Sequence, residues 1–119
     1  MALISRKLRS VEGDGLMFWC PGCDGAHQVR VGEGPGPRWG YNGDAERPTF
    51  TPSVLARWTE AEPPVTSENL EEWRRSPWPQ TKVEKVCHSF VTDGRIQFLS
   101  DCTHALAGQT VDLPDWEAA

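Results

Sequence analysis

No apolar run in the 119-residue chain approaches the ~18–20 residues that a membrane-crossing helix needs. The opening Met1-Ala2-Leu3-Ile4-Ser5-Arg6-Lys7 lacks the hydrophobic core of a signal peptide. Both absences point to a protein that stays in the cytoplasm where it is made, and there cysteines serve as thiols or metal ligands rather than disulfides. Positive charge is scarce. Twelve basic residues face seventeen acidic ones, for a net charge of −5. The one basic concentration, Arg6, Lys7 and Arg9, is too small to neutralise a phosphate backbone, which excludes a nucleic-acid partner. No Lys or Arg occurs from Asp101 to Ala119, and Glu60, Glu62, Glu68, Glu71 and Glu72 make an acidic stretch. Such a face is simply solvated, mimics DNA, or suits a protein partner with a basic surface. The familiar catalytic signatures are missing too: no G-K-[ST] ending follows the glycines of Gly32 to Gly43, and neither a nucleophile elbow nor H-E-x-x-H is present.

Apolar residues make only 38% of the chain, little for a domain that must fold on its core alone. Six Trp and four Phe offset part of that deficit, because each large ring buries roughly 150–250 Å². Eleven Gly and ten Pro imply many turns and argue against a helical bundle. Leu16-Met17-Phe18-Trp19 reads as a strand entering a turn at Cys20, and Gln28 to Val31 as the returning strand. Residues 32–48 read as a long Gly/Pro-rich loop. Thr49 to Trp58 is strand-like, bent at Pro52. Ser67 to Arg75 is the one helix, with Thr66 or Ser67 as cap, glutamates early and arginines late. Two alternating runs flank Asp93-Gly94, the preferred pair of a two-residue type I′ hairpin. That register pairs Thr92 with Arg95, Val91 with Ile96 and Ser89 with Phe98, and extends to Cys87 with Ser100. Cys87, Val91, Ile96 and Phe98 then share one face; His88, Phe90 and Leu99 lie on the other. Trp19, Trp58 and Trp73 suit core positions, whereas Trp39, Trp78 and Trp116 sit in loops or near the end of the chain.

All four cysteines and all three histidines fall into two clusters. The first is Cys20-Pro21-Gly22-Cys23 with His27. The second is Cys87-His88 with Cys102-Thr103-His104. A C-x-x-C turn lets two thiolates converge on one ion, and zinc takes four such donors in a tetrahedron. The expected ligands are Cys20, Cys23, Cys87 and Cys102, or three cysteines with His104 or His27 in place of one thiolate. His88 points away by strand parity. Asp101 could orient a histidine or bind a cation, but is also placed to cap a strand end. The surplus of donors leaves room for an open metal position with His88 or His104 as general base.

The segments Trp19-Cys-Pro-Gly-Cys23 with His27, Arg47-Pro-Thr-Phe-Thr-Pro-Ser53, Cys87-His-Ser-Phe90 with Asp93-Gly-Arg-Ile96, Phe98-Leu-Ser-Asp-Cys-Thr-His104 and Gly108-Gln-Thr-Val-Asp-Leu-Pro114 resemble a small metal-binding family of tailed phages and prophages. Related proteins also occur beside ubiquitin-like conjugation genes in bacteria. The resemblance implies a phage origin and a zinc, and supplies no catalytic residue. The resulting expectation is a single domain over residues 1–119, mainly β, built of zinc-ribbon-like antiparallel hairpins with one short helix. A helical insertion occupies residues 60–79. Its expected role is that of a phage-encoded zinc-binding accessory protein in the host cytoplasm or on the virion, binding a phage structural protein or a host factor. The rival readings are a zinc-dependent peptidase or amidase and, more weakly, an anti-defence protein.

Overall fold

The structure is a computed structural model describing residues 2–118. It is mainly β, with two antiparallel sheets and one short helix. Among the described residues no helix is long and apolar enough to cross a membrane. The first sheet holds β1 (Ala2–Leu3), β2 (Leu8–Val11), β3 (Gly15–Cys20) and β4 (Gly25–Arg30), in that order. The second holds β5 (Gly40–Tyr41), β6 (Phe50–Glu62), β7 (Thr81–Thr92), β8 (Arg95–Phe98) and β9 (Thr110–Asp112), also in chain order. The helix α1 (Leu70–Arg75) lies in the β6–β7 connection.

Alternation of buried and more exposed positions along the strands sets which faces meet. Leu8, Leu16, Phe18 and Val29 of the first sheet pack with Phe50, Val54, Val91, Ile96 and Phe98 of the second in one buried cluster. Phe18 and Phe50 stack across the two sheets with ring centroids 6.0 Å apart. Cys20, Cys87 and Cys102 are buried in the same cluster, so the thiols sit at one end of the core rather than on a surface loop.

The β7–β8 hairpin follows the register that its sequence dictates: Thr92 pairs with Arg95, Val91 with Ile96 and Ser89 with Phe98. Asp93 and Gly94 both have positive φ, 51° and 78°, as a type I′ turn requires. The ladder does not continue to Cys87 and Ser100. β8 ends at Phe98, and Leu99 instead turns its carbonyl to accept the Cys102 N–H at 3.2 Å.

Other differences have local causes. The N-terminal segment forms β1 and β2, which alternation too short to detect did not suggest. The helix starts at Leu70, later than its glutamates imply, because Asn69 Oδ1 accepts the Thr66 N–H and holds Thr66–Asn69 in a turn. Residues 32–48 are mostly bends, but Gly40 and Tyr41 pair with Thr51 and Phe50. Trp58 is exposed and Trp19 and Trp73 are only partly buried, so none of the three joins the core. β6 and β7 run past the core as a two-stranded arm, and the molecule is 52 Å long against 32 and 30 Å across. At the arm's end the Trp73 indole donates to the Trp78 carbonyl and the Trp78 indole to the Pro63 carbonyl, so these rings close the connection on itself.

Candidate active site and metal centre

The β6–β7 register shifts between Phe50 and Val54. Phe50 pairs with Val91 and Val54 with Ser89, so four steps on β6 oppose two on β7. Bulges of this kind re-aim side chains and occur often beside active sites. Here the bulge carries Ser53, between buried Phe50 and Val54, and its side chain emerges on the outer face of the sheet. The Trp39 indole N–H donates to the Ser53 carbonyl at 3.2 Å and fixes the bulge from the side.

His88 lies on the same outer face, because its neighbours Cys87 and Ser89 point inward. Its Nε2 is 2.9 Å from Ser53 Oγ, and its Nδ1 is 3.2 Å from Asp101 Oδ2. A carboxylate only accepts, so the proton rests on Nδ1 and Nε2 is free to accept from the serine hydroxyl. Ser53, His88 and Asp101 therefore form a continuous hydrogen-bonded chain of hydroxyl, imidazole and carboxylate, the arrangement by which serine-hydrolase triads are recognised on unrelated folds. Asp101 reaches His88 because the chain turns after Phe98 instead of continuing the hairpin. The site is open: the His88 side chain is half-buried and the Asp101 carboxylate exposed, with exposed Leu55 and Phe90 on the same face.

On the inner face of β7, Cys87 meets the other residues that could hold a metal, Cys20 at the end of β3, Cys23 in the following turn, His27 on β4, and Cys102 and His104 beyond β8. Cys20, Cys23, His27 and Cys87 bring one donor atom each within 4.8 Å of the others; Cys87, Cys102 and His104 form a second, overlapping group. All six sequence candidates thus gather at one place, spread over two groups sharing Cys87. The knuckle is tight. Gly22 sits against the His104 ring, where any Cβ would lie 2.3 Å from His104 Cε1. His104 also meets Phe98 edge-on, with ring centroids 4.5 Å apart.

Two observations show that the first group fits a metal ion. Cys20 and Cys87 sulfurs are 3.8 Å apart, close to the ~3.8 Å edge of a tetrahedron with metal–sulfur bonds of ~2.3 Å. His27 Nε2 is buried and makes no hydrogen bond, a cost that coordination would remove. The electrostatics agree. Hydrogen bonds from Cys23 and then Cys87 hold the Cys20 thiol far below its ordinary range. Cys23 is pushed up to about 12, first by its hydrogen bond to Cys20. Cys87 is raised as well, by its bonds to Cys20 and Cys23 and by burial. One thiolate is thus stabilised at the expense of two that stay protonated until a cation arrives. Loading a divalent metal at neutral pH is therefore expected to release about two protons per ion. Calorimetric titrations in buffers of different ionisation enthalpy would measure that number, and affinity should fall as pH is lowered, because protons compete for the same sulfurs.

The triad was not legible as a motif. Asp101 was recognisable only as a residue able to orient a histidine, and Ser53 only as part of the Arg47–Ser53 segment. The parity that removed His88 from the metal set is the same parity that places it beside Ser53.

Comparison with known proteins gives an independent finding. Residues 3–99 match the model of the bacterial ubiquitination-like system serine protease (BubE) family. The matched span includes Ser53 and His88 and ends two residues before Asp101. No match was found among curated proteins or among solved structures. The family match overturns the resemblance to a phage metal-binding family. The phage accessory role and the viral character go with it. The Cys/His motifs behind that resemblance are real, and the fold gathers them into two groups that could hold a metal ion. The chain belongs to the bacterial ubiquitination-like system serine protease family, BubE.

Proposed function

We propose that this protein is a serine protease whose catalytic residues are Ser53, His88 and Asp101, and that a zinc ion staples the fold beneath them. The observation that carries the reading is the pair of hydrogen-bond distances on His88, 2.9 Å to Ser53 and 3.2 Å to Asp101. Ser53 Oγ attacks the scissile carbonyl carbon while His88 Nε2 takes its proton. The resulting imidazolium returns that proton to the leaving amine as the carbon–nitrogen bond breaks. Water, deprotonated by the same nitrogen, then cleaves the acyl-serine ester, and the proton goes back to Ser53. Asp101 keeps the proton on Nδ1 and stabilises the imidazolium. The open face favours an extended, exposed segment of polypeptide as substrate over a side chain held in a deep pocket.

Asp101→Asn tests the assignment. An amide can donate to Nδ1 and so stabilise the wrong tautomer, leaving Nε2 protonated and unable to accept. The expected result is a fall in kcat of about 10⁴-fold with a native fold, read with an activated ester such as p-nitrophenyl acetate. A loss below about tenfold would remove Asp101 from the triad.

For the metal, the donor set favours zinc held by Cys20, Cys23, His27 and Cys87, a closed structural site. His104 supports this set from outside. Its Nδ1 accepts the Leu106 N–H at 3.2 Å, so Nε2 carries the proton and faces Cys87 sulfur at 3.5 Å as a donor. The ion would supply charge neutralisation for three clustered thiolates. The chemistry on the outer face needs no metal-bound water, which replaces the alternative of a zinc-dependent hydrolase.

A further inference from the structure

We propose that Cys102 is a positioning residue of the triad, an inference that rests on the serine-protease reading above. In a continued β7–β8 ladder His88 would pair with Leu99, exchanging two hydrogen bonds. Only one is made, from Leu99 N–H to the His88 carbonyl at 2.9 Å. The Leu99 carbonyl, natural partner of the His88 N–H, has turned to accept the Cys102 N–H at 3.2 Å. Cys102 sulfur fills the vacated place. It accepts the His88 N–H at 3.2 Å and donates to the His88 carbonyl at 3.2 Å. Beside it, Thr103 continues the substitution: its N–H donates to the Val86 carbonyl at 2.9 Å and its Oγ1 accepts the Val86 N–H at 3.0 Å.

The substitution lets two demands be met together. The chain must leave the ladder after Phe98 for Asp101 to come round to His88 Nδ1, yet the backbone of a general base must not lose its partners. A buried side chain that both accepts and donates satisfies the backbone while the chain turns. Sulfur, with its long bond to carbon, reaches where a serine hydroxyl falls short. Cys102 therefore holds the His88 main chain and, through the adjacent residue, the carboxylate that orients its ring. It lies outside the Cys20, Cys23, His27 and Cys87 donor group but belongs with Cys87 and His104 to the second, overlapping one, so zinc content must be read alongside the rate.

Cys102→Ala and Cys102→Ser, each loaded with zinc, test this. The rate with p-nitrophenyl acetate should fall about tenfold to a hundredfold in the alanine variant through kcat, with KM within twofold, as displacement of a positioned base by a fraction of an ångström implies. The serine variant should recover part of the loss. The low-field proton resonance of the His88 Nδ1–H to Asp101 bond should broaden or move in the alanine variant, while zinc stays at one equivalent per chain. Unchanged kcat and an unchanged resonance would overturn the proposal. So would loss of zinc in the alanine variant, since Cys102 would then be a ligand. If Cys102→Ala does not fold, Cys102→Ser must show the intermediate kcat and the shifted resonance for the proposal to stand. Failure of the protease reading would look different: a Ser53→Ala variant with undiminished esterase activity, with the resonance still sensitive to residue 102.

Discussion

Treating the zinc-loaded protein with a strong chelator at neutral pH is expected to unfold it, with the near-ultraviolet signal of its tryptophans lost in one transition. The core explains the size of the effect. The buried cluster joining the two sheets contains few large side chains, and three of its members are the thiols Cys20, Cys87 and Cys102. Structural zinc contributes roughly 10–16 kcal/mol of apparent binding free energy in small finger domains. The whole net stability of a typical domain is only about 5–15 kcal/mol. Without the ion, Cys20, Cys23 and Cys87 share a single favourable negative charge, and His27 Nε2 is left buried and unpaired. Cys20→Ser and Cys87→Ser should each reproduce the loss, because β3 and β7 carry the two halves of the clamp. A melting temperature unchanged by chelation would show that packing alone suffices. The triad should fail with the fold, since His88 follows Cys87 directly.

Ser53→Ala should lower kcat toward any ester or peptide substrate by about 10⁴–10⁶-fold, the range seen when a triad nucleophile is removed. The fold should hardly notice. Ser53 is half-buried in a bulge, and its structural tie, the Trp39 indole bond, runs to its main-chain carbonyl, which alanine keeps. The side-chain bond to His88 is worth about 1 kcal/mol. Loss of activity with melting temperature and zinc content preserved is therefore the expected signature. Retained activity would place the nucleophile elsewhere.

The local fold was largely readable from sequence where the signal was local. Asp93-Gly94 fixed the β7–β8 turn and its register, and parity put Cys87 inward and His88 outward. The Cys-Pro-Gly-Cys knuckle pointed to a cluster that could hold a metal ion. What could not be read depends on contacts between distant segments. Ser53 reaches His88, thirty-five positions away, only through the pairing of β6 with β7, which no local pattern reveals. Asp101 meets His88 only because the hairpin stops at Phe98, whereas strand parity alone carries it to Ser100. Trp58 was misplaced for a related reason: alternation identifies a strand but not how far it runs beyond the core that would bury it.

The most direct test of the account is to react the zinc-loaded protein with a fluorophosphonate reagent and locate the adduct by mass spectrometry. The expected result is a single modification on Ser53, lost in His88→Ala and persisting in protein whose exposed surface is otherwise unaltered. A protein that stays unlabelled while folded and metal-loaded, or carries the adduct on another residue, would contradict the assignment of Ser53, His88 and Asp101.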